Sequence, residues 1–513
     1  MSARGKGRTK RERASNGSER NASGRESKKN MEAIWTMEKA LTGFQWIGRH
    51  AEELTRLSDA IWSYAELGLH EDKSAAALEE FLKSNGFAVE AGVGGMPTAF
   101  VATWGTGKPE IGFLGEYDAL PGVSQKVSTV KDELEPGGCG HGCGHNLLGV
   151  ASAAAAVALK EELQKRGLPG TVKYFGCPAE ENFSGKAFMA RDGLFDSLDA
   201  CLTWHPGPMN TVRGGSSLAV NSMNVTFYGV ASHAGGAPHL GRSALDAVEL
   251  MNVGVNYLRE HIIEKARIHY VTTNGGLQPN VVPAKASVWY YVRAPHRDQV
   301  EEIYERVLKC AKGAAIMTDT TYEVELLEGI YEVLPNRTLE DVLVQAMEVA
   351  GPPEFTEEDE KFARELSKTF PPGQADAFMR DETLPDEMKA KLAGKVLNDT
   401  VLGRPPIPPE MRGSTDVGDV SWCTPTSQFS TACCALGTPG HSWQYTAQTG
   451  MHIGHAGMIA AARTLVQAGL QLMTDPDVLK EAREEFNKKT GGKKYKSPLP
   501  PDMKPAFHQL DKK

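Results

Sequence analysis

Apolar positions first recur with helical spacing at Leu41, Phe44, Ile47, Leu54, Leu57 and Ile61, which predicts a helix over 38–64. A second helix is expected over 73–84. Short apolar runs then alternate with helical ones: strands are expected at 98–104, 111–115, 171–176 and 199–203, with a helix at 146–165 between two of them. This βαβ rhythm predicts an α/β fold with a mainly parallel sheet covered by helices. The pattern changes near residue 213. Residues 219–229 alternate like a half-buried strand, 243–260 read as a helix, 267–273 and 284–293 as strands, 297–314 as a helix and 320–328 as a strand. That βαββαβ order describes a ferredoxin-like two-layer domain at 214–329, inserted into a larger domain made of 31–213 and 330–475. Residues 351–411 are charged and Pro-rich and read as a helical insertion or lid on the larger domain. Residues 454–472 read as a last amphipathic helix, and the Lys- and Pro-rich 476–513 as a loose tail.

The 513 residues are enough for two or three domains, and 41% hydrophobic residues supply a full core. The net charge of −9 is unevenly spread: residues 1–30 carry ten Lys/Arg against three Glu, leaving an acidic body. Broad nucleic-acid binding is therefore not expected, because it is driven by phosphate neutralisation. Residues 1–30 hold almost nothing apolar and read as a solvated basic tail. A mis-assigned start, with Met31 the true one, and a targeting leader or nucleic-acid arm are the alternatives. The eight Cys form no small secreted disulfide framework, no signal peptide opens the chain, and no apolar run reaches a membrane span of about 18–20 residues. Reduced thiols, a cytoplasmic location and no membrane partner are expected.

The densest chemical signal is Gly137-Gly-Cys-Gly-His-Gly-Cys143-Gly-His145-Asn146. Thiolate and imidazole are good ligands for zinc-like ions, and glycines let the backbone wrap closely around one. A redox loop or a structural zinc knuckle is the alternative, although Cys139 and Cys143 have no second close pair after them. Cys177-Pro-Ala-Glu180-Glu181-Asn182 follows an apolar run. Adjacent carboxylates repel unless a cation separates them or one is protonated, so one Glu as ligand and one free for a proton fits a metal site. His205 ends a strand candidate, where open α/β folds place their sites, and His441 lies in a Gly-rich loop. Read alone, the Glu pair is also an ordinary surface pair and His205 an ordinary core histidine. Ser232-His233-Ala-Gly-Gly offers a projecting imidazole or a turn residue. Arg293 ends a strand and suits a carboxylate, or is plain surface.

Together these motifs resemble the aminoacylase/carboxypeptidase type of dinuclear metallopeptidase, in its amidohydrolase branch with the hippurate and auxin-conjugate hydrolases. The marks are Tyr117-Asp118-Ala-Leu-Pro121, Cys143-Gly-His145, Pro178-Ala-Glu-Glu181, His205-Pro, Ser232-His233-Ala, Asn280-Val-Val-Pro283 and Gly440-His441-Ser, covering roughly 35–475. The long insertion and Ser414–Trp422 look most like the aminobenzoyl-glutamate utilisation proteins of type B. The resemblance implies Cys143, His145, Glu181, His205 and His441 as ligands of two divalent ions, zinc or manganese, and Glu180 as general base and acid. It implies that Asp118 orients a ligand from behind, that His233 reaches the site of another subunit, and that Asn280 and Arg293 hold a carboxylate or oxyanion. Two positions depart from the family pattern: Asn146 stands where Asp is common, and Ser-Thr-Asp416-Val where Glu-Asp-Phe is usual.

The implied activity is metal-dependent hydrolysis of N-acyl amino acids, p-aminobenzoyl-glutamate being the first candidate, by a homodimer or higher homo-oligomer. A dipeptidase, a hydrolase releasing an aryl amine, and a non-catalytic member of a heteromer with a related chain are the rivals.

Overall fold

The computed structural model describes residues 41–212, 214–406, 408 and 413–507. The basic tail 1–30 and the first residues of the helix expected at 38–64 lie outside them. The strands are β1 (Ala88–Ala91), β2 (Phe100–Thr106), β3 (Glu110–Glu116), β4 (Gly170–Cys177), β5 (Ala200–Gly207), β6 (Asn210–Val212), β7 (Ala219–Tyr228), β8 (Arg267–Asn274), β9 (Lys285–Ala294), β10 (Thr321–Ile330), β11 (Val401–Gly403) and β12 (Thr426–Ala432).

Eight of these form one sheet in the order β1-β2-β4-β3-β5-β12-β6-β11. Its centre, β4-β3-β5-β12, is parallel, and antiparallel pairs flank it. Successive side chains of a strand point to opposite faces, and here both faces are buried. Phe113, Tyr174 and Leu202 join one core, with the helices Thr42–Tyr64, His145–Arg166 and His452–Thr474. Leu114, Phe175 and Cys201 join the other, under the short helices Gly185–Arg191 and Val417–Cys423. Each buried Phe or Leu is worth about 1.5–3 kcal/mol, so runs apolar at every position are stable only between two covering layers. The helix His145–Arg166 is buried on nearly all sides, and its Ala-rich sequence suits that: small side chains let the sheet and two helices approach it together.

The second sheet has the order β10-β7-β9-β8 and is antiparallel throughout. The helices Ala244–Leu258 and Arg297–Thr318 pack on one face of it. This is the expected ferredoxin-like βαββαβ order. Strand β8 is an edge, and nearly all its residues are exposed.

Two expectations are corrected. The helix His452–Thr474 is not the last, because Pro476–Thr490 follows it. Residues 476–507 are also not loose. Asp475 caps the new helix, Ala482 and Phe486 are buried, and the extended run beyond it buries Leu499 and Ala506 in the second core. Tyr495 donates its hydroxyl to the buried Asp419 at 2.6 Å, and Arg191 donates to the Met503 carbonyl at 2.6 Å. A Lys- and Pro-rich composition hides these few anchors. No described helix is long and apolar enough to cross a membrane.

Candidate active site

The site lies at the carboxyl ends of β3, β4 and β5, where an open α/β sheet leaves a crevice. Strand β3 runs into Glu116 and Asp118, β4 into the Glu180-Glu181 turn, and β5 carries His205. The Gly-rich loop before the helix His145–Arg166 supplies Cys143 and His145. Gly144 caps that helix at φ +82°, a left-handed conformation that favours glycine. A Cβ there would also meet the Pro206 side chain at 3.0 Å.

Five of the expected residues converge in two groups. Cys143, His145 and His205 form one, Cys143, Glu181 and His441 the other, and within each group the candidate ligand atoms all lie within 4.8 Å of one another. Cys143 Sγ is 3.3 Å from His205 Nε2, and His441 Nε2 is 3.6 Å from Glu181 Oε1. His441 adopts φ +53°, strained for a residue with a Cβ, while its backbone N–H donates to the Gly142 carbonyl at 3.1 Å. That bond ties the two Gly-rich loops together.

Asp118 sits behind the groups and is buried. It accepts from His145 Nδ1 at 2.7 Å and from the Glu181 backbone N–H at 2.9 Å. The first bond places the His145 proton on Nδ1 and turns the Nε2 lone pair toward Cys143. Glu71, also buried, accepts from the Ala179 N–H at 2.8 Å and from the Thr98 hydroxyl at 2.9 Å, and so supports the turn before Glu180. Burial, with Asp118 nearby, pushes its carboxyl up to about 8.

Several observations fit a pair of cations. His145 Nε2 and Glu181 Oε1 are buried and make no hydrogen bond among the described residues. Burial pushes the Cys143 thiol up to about 12, so it becomes a thiolate at neutral pH only beside positive charge. Burial, then Glu116, Asp416 and Glu181, push the Glu180 carboxyl well above the usual range.

His233, Asn280 and Arg293 are not part of this cluster. His233 is exposed in the second-sheet unit, bridged to Val281, and Ala234 N–H donates to the Asn280 carbonyl at 3.0 Å. His233 Nδ1 accepts from the N–H groups of Gly235 and Gly236 at 3.1 and 2.9 Å, which leaves its proton on Nε2. Arg293 stacks over Tyr291 beside Glu328. Burial pushes the Glu328 carboxyl up to about 7, against the opposing pull of the Ser184 hydroxyl and then of Arg293.

Residues that sequence reasoning left out complete the floor. Lys186 is fully buried between Glu116 and Asp416. Glu116 directly precedes Tyr117-Asp118, and Lys186 follows Glu181 by five positions, so proximity to the two motifs was the available signal. Asn146 turns away from the cluster: its amide donates to Ser58 Oγ and to the Thr449 carbonyl, both at 3.0 Å. A carboxylate could not donate to that carbonyl, which accounts for Asn here. His452 and His455 pair with Asp359 and Asp59, outside the site.

Fold and site together define a hydrolase of amide bonds, of the peptidase class. Residues 112–373 match the model of the peptidase family M20/M25/M40. The chain is 43% identical to the B-type component of p-aminobenzoyl-glutamate hydrolase from Escherichia coli, over 89% of this chain and 96% of that one. It is 30% identical to Xaa-Arg dipeptidase of Mus musculus, over 86% and 90%. Its fold is similar to the crystal structure of an aminobenzoyl-glutamate utilization protein from Klebsiella pneumoniae, with a TM-score of 0.57 and 20% identity over 83% of this chain and 97% of that one. The chain belongs to the peptidase family M20/M25/M40.

Proposed function

We propose that the protein hydrolyses the amide bond of N-acyl amino acids, with p-aminobenzoyl-glutamate or a related aromatic acyl conjugate as substrate and two divalent ions, zinc or manganese, as cofactors. The observation that carries this is Cys143 standing in both ligand groups with Glu180 beside them. Cys143, His145 and His205 would hold one ion, and Cys143, Glu181 and His441 the other. Bound there, such ions would polarise the scissile carbonyl and lower the pKa of water to about 7.

Glu180 takes the proton of the attacking water as its oxygen adds to the carbonyl carbon. It then delivers that proton to the amide nitrogen as the C–N bond breaks, leaving a carboxylic acid and an amine. Asp118 keeps His145 in the tautomer that presents Nε2. Among the described residues, those of 41–212 and 330–507 make up the catalytic domain, with 351–411 as its insertion; the packed 476–507 extends the bounds 31–213 and 330–475 expected from the sequence. Residues 214–329 form a lid that also pairs subunits.

The exposed edge β8 and the exposed Val253 and Tyr257 of the helix Ala244–Leu258 support pairing with a second copy of this chain. Pairing would let His233 of one copy donate its Nε2 proton to the oxyanion in the site of the other, with Asn280 beside it and Arg293 as the candidate for the substrate carboxylate. His233→Ala is expected to lower kcat about 10²–10³-fold and to leave metal content unchanged, by activity assay and elemental analysis. Loss of metal would contradict its placement in the lid. The name of the E. coli relative, one component of a hydrolase with more than one kind of chain, supports a heteromer with a related chain as the other assembly. None of the eight cysteines, all of them among the described residues, forms a disulfide bond, which supports a reducing, cytoplasmic setting.

The 30% identity to a dipeptidase keeps a dipeptide substrate as the second reading. A panel of N-acyl amino acids and dipeptides, followed by release of free amino acid, decides the substrate class. The highest kcat/KM is expected for N-aroyl glutamates. Turnover of dipeptides alone would overturn the acyl-amino-acid reading.

A further inference from the structure

Lys186 stands in the first turn of Gly185–Arg191, just beyond the Glu180-Glu181 turn, and none of it is exposed. Its Nζ donates to Glu116 Oε1 at 2.6 Å and to Asp416 Oδ1 at 2.7 Å. Its backbone N–H donates to Asp416 Oδ2 at 2.9 Å, so Asp416 fixes both ends of the residue. A buried ammonium persists only when paired in this way.

The second oxygen of Glu116 points toward the site. Oε2 lies 3.2 Å from His145 Nε2, the nitrogen that faces Cys143. Glu116, His145 and Glu180 form a third group whose candidate ligand atoms lie within 4.8 Å of one another. Two carboxylates and an imidazole are a competent site for a divalent ion, and a harder one than the thiolate groups. An ion there would draw His145 away from Cys143. It would also coordinate Glu180, the carboxylate that has to remain free to move a proton.

We propose that Lys186 is a positioning residue: a built-in cation that serves Glu116 as counter-charge, reserves His145 for the Cys143 groups and leaves Glu180 free of metal. The proposal rests on the metal reading above. An ammonium on Glu116 Oε1 supplies the positive charge that this carboxylate would otherwise take from a metal ion, and it repels a dication approaching Oε2. It also gives Asp416 a task. Standing where the family usually has Glu-Asp-Phe, Asp416 anchors the lysine instead of touching the ligand groups.

The test is the full chain loaded with Co(II), read by ions bound per chain and by thiolate-to-cobalt charge-transfer absorption. In the unaltered protein that absorption reports Cys143. Lys186→Met is expected to bind one further ion per chain, to lose thiolate absorption per bound ion, and to lower kcat about 10²-fold or more as Glu180 becomes a ligand. Lys186→Met with Glu116→Gln keeps the net charge of the cluster and removes the competing carboxylate. It is expected to restore the ion count and the absorption and to recover part of kcat. A folded Lys186→Met protein with the ion count and absorption of the unaltered chain would overturn the proposal. So would a double variant that still binds the extra ion, which decides alone if Lys186→Met does not fold. Absence of the thiolate absorption in the unaltered protein would overturn the metal reading itself, and with it the proposal.

Discussion

Replacing Glu180 with Gln is expected to lower kcat by about 10²–10⁴-fold and to leave both proposed metal ions in place. The residue sits next to Glu181 but outside the two groups that share Cys143. Its carboxyl is held well above the usual range by burial, then by Glu116, Asp416 and Glu181, so it retains a proton readily once it has taken one. A glutamine keeps the volume and loses only proton transfer. Steady-state kinetics and elemental analysis of the same preparation measure both halves of the expectation. Near-normal turnover, or loss of metal, would remove Glu180 from the acid–base role.

Cys143→Ala is expected to have the larger effect, because Cys143 is the one residue common to both candidate ligand groups that contain it. Its loss is expected to empty both metal positions and to remove nearly all of the roughly 10⁶-fold or greater acceleration that enzymes supply. His441→Ala provides the contrast. His441 belongs to one group only, so that variant is expected to lose one ion and keep the other. If Cys143→Ala retained two ions, the thiolate would not be their shared ligand.

Much of this was legible in the chain. The parallel strands announced themselves as apolar runs, and the ferredoxin-like unit as alternation interrupted by two helical stretches. Strand β12 did not. Its sequence, Thr-Ser-Gln-Phe-Ser-Thr-Ala, is mostly polar, yet every residue is buried. The hydroxyls of Thr426, Ser430 and Thr431 donate to backbone carbonyls, which makes their burial tolerable and hides the strand from any search for apolar residues. The loose reading of 476–507 failed in a related way. Anchors such as Phe486, Tyr495 and Leu499 are too sparse to form a pattern among lysines and prolines.

The site divides along a similar line. Residues inside dense local motifs, Cys143 with His145 and Glu180 with Glu181, could be found from spacing and chemistry. Glu71 and Glu328 could not, and Lys186 and Glu116 offered only their nearness to such motifs, because each matters through a partner far away in sequence: Asp416 for Lys186, Lys186 for Glu116, Ala179 for Glu71, Ser184 for Glu328. A lone Lys or Glu carries no sign of burial until the fold brings its counter-charge to it. His233 and Asn280 were found by motif, and the structure sets them side by side in the second-sheet unit, with no hydrogen bond between either and the ligand groups among the described residues.

The central claim is that a cysteine shared by two metal positions makes this chain an amide hydrolase. Its most direct test is metal content by elemental mass spectrometry on the purified full chain, measured alongside hydrolysis of p-aminobenzoyl-glutamate before and after chelation. The account predicts two equivalents of zinc or manganese, activity abolished by the chelator, and recovery when the ion is returned. A protein that binds no metal and still cleaves the amide, or cleaves it undiminished after its metal is stripped, would contradict the account.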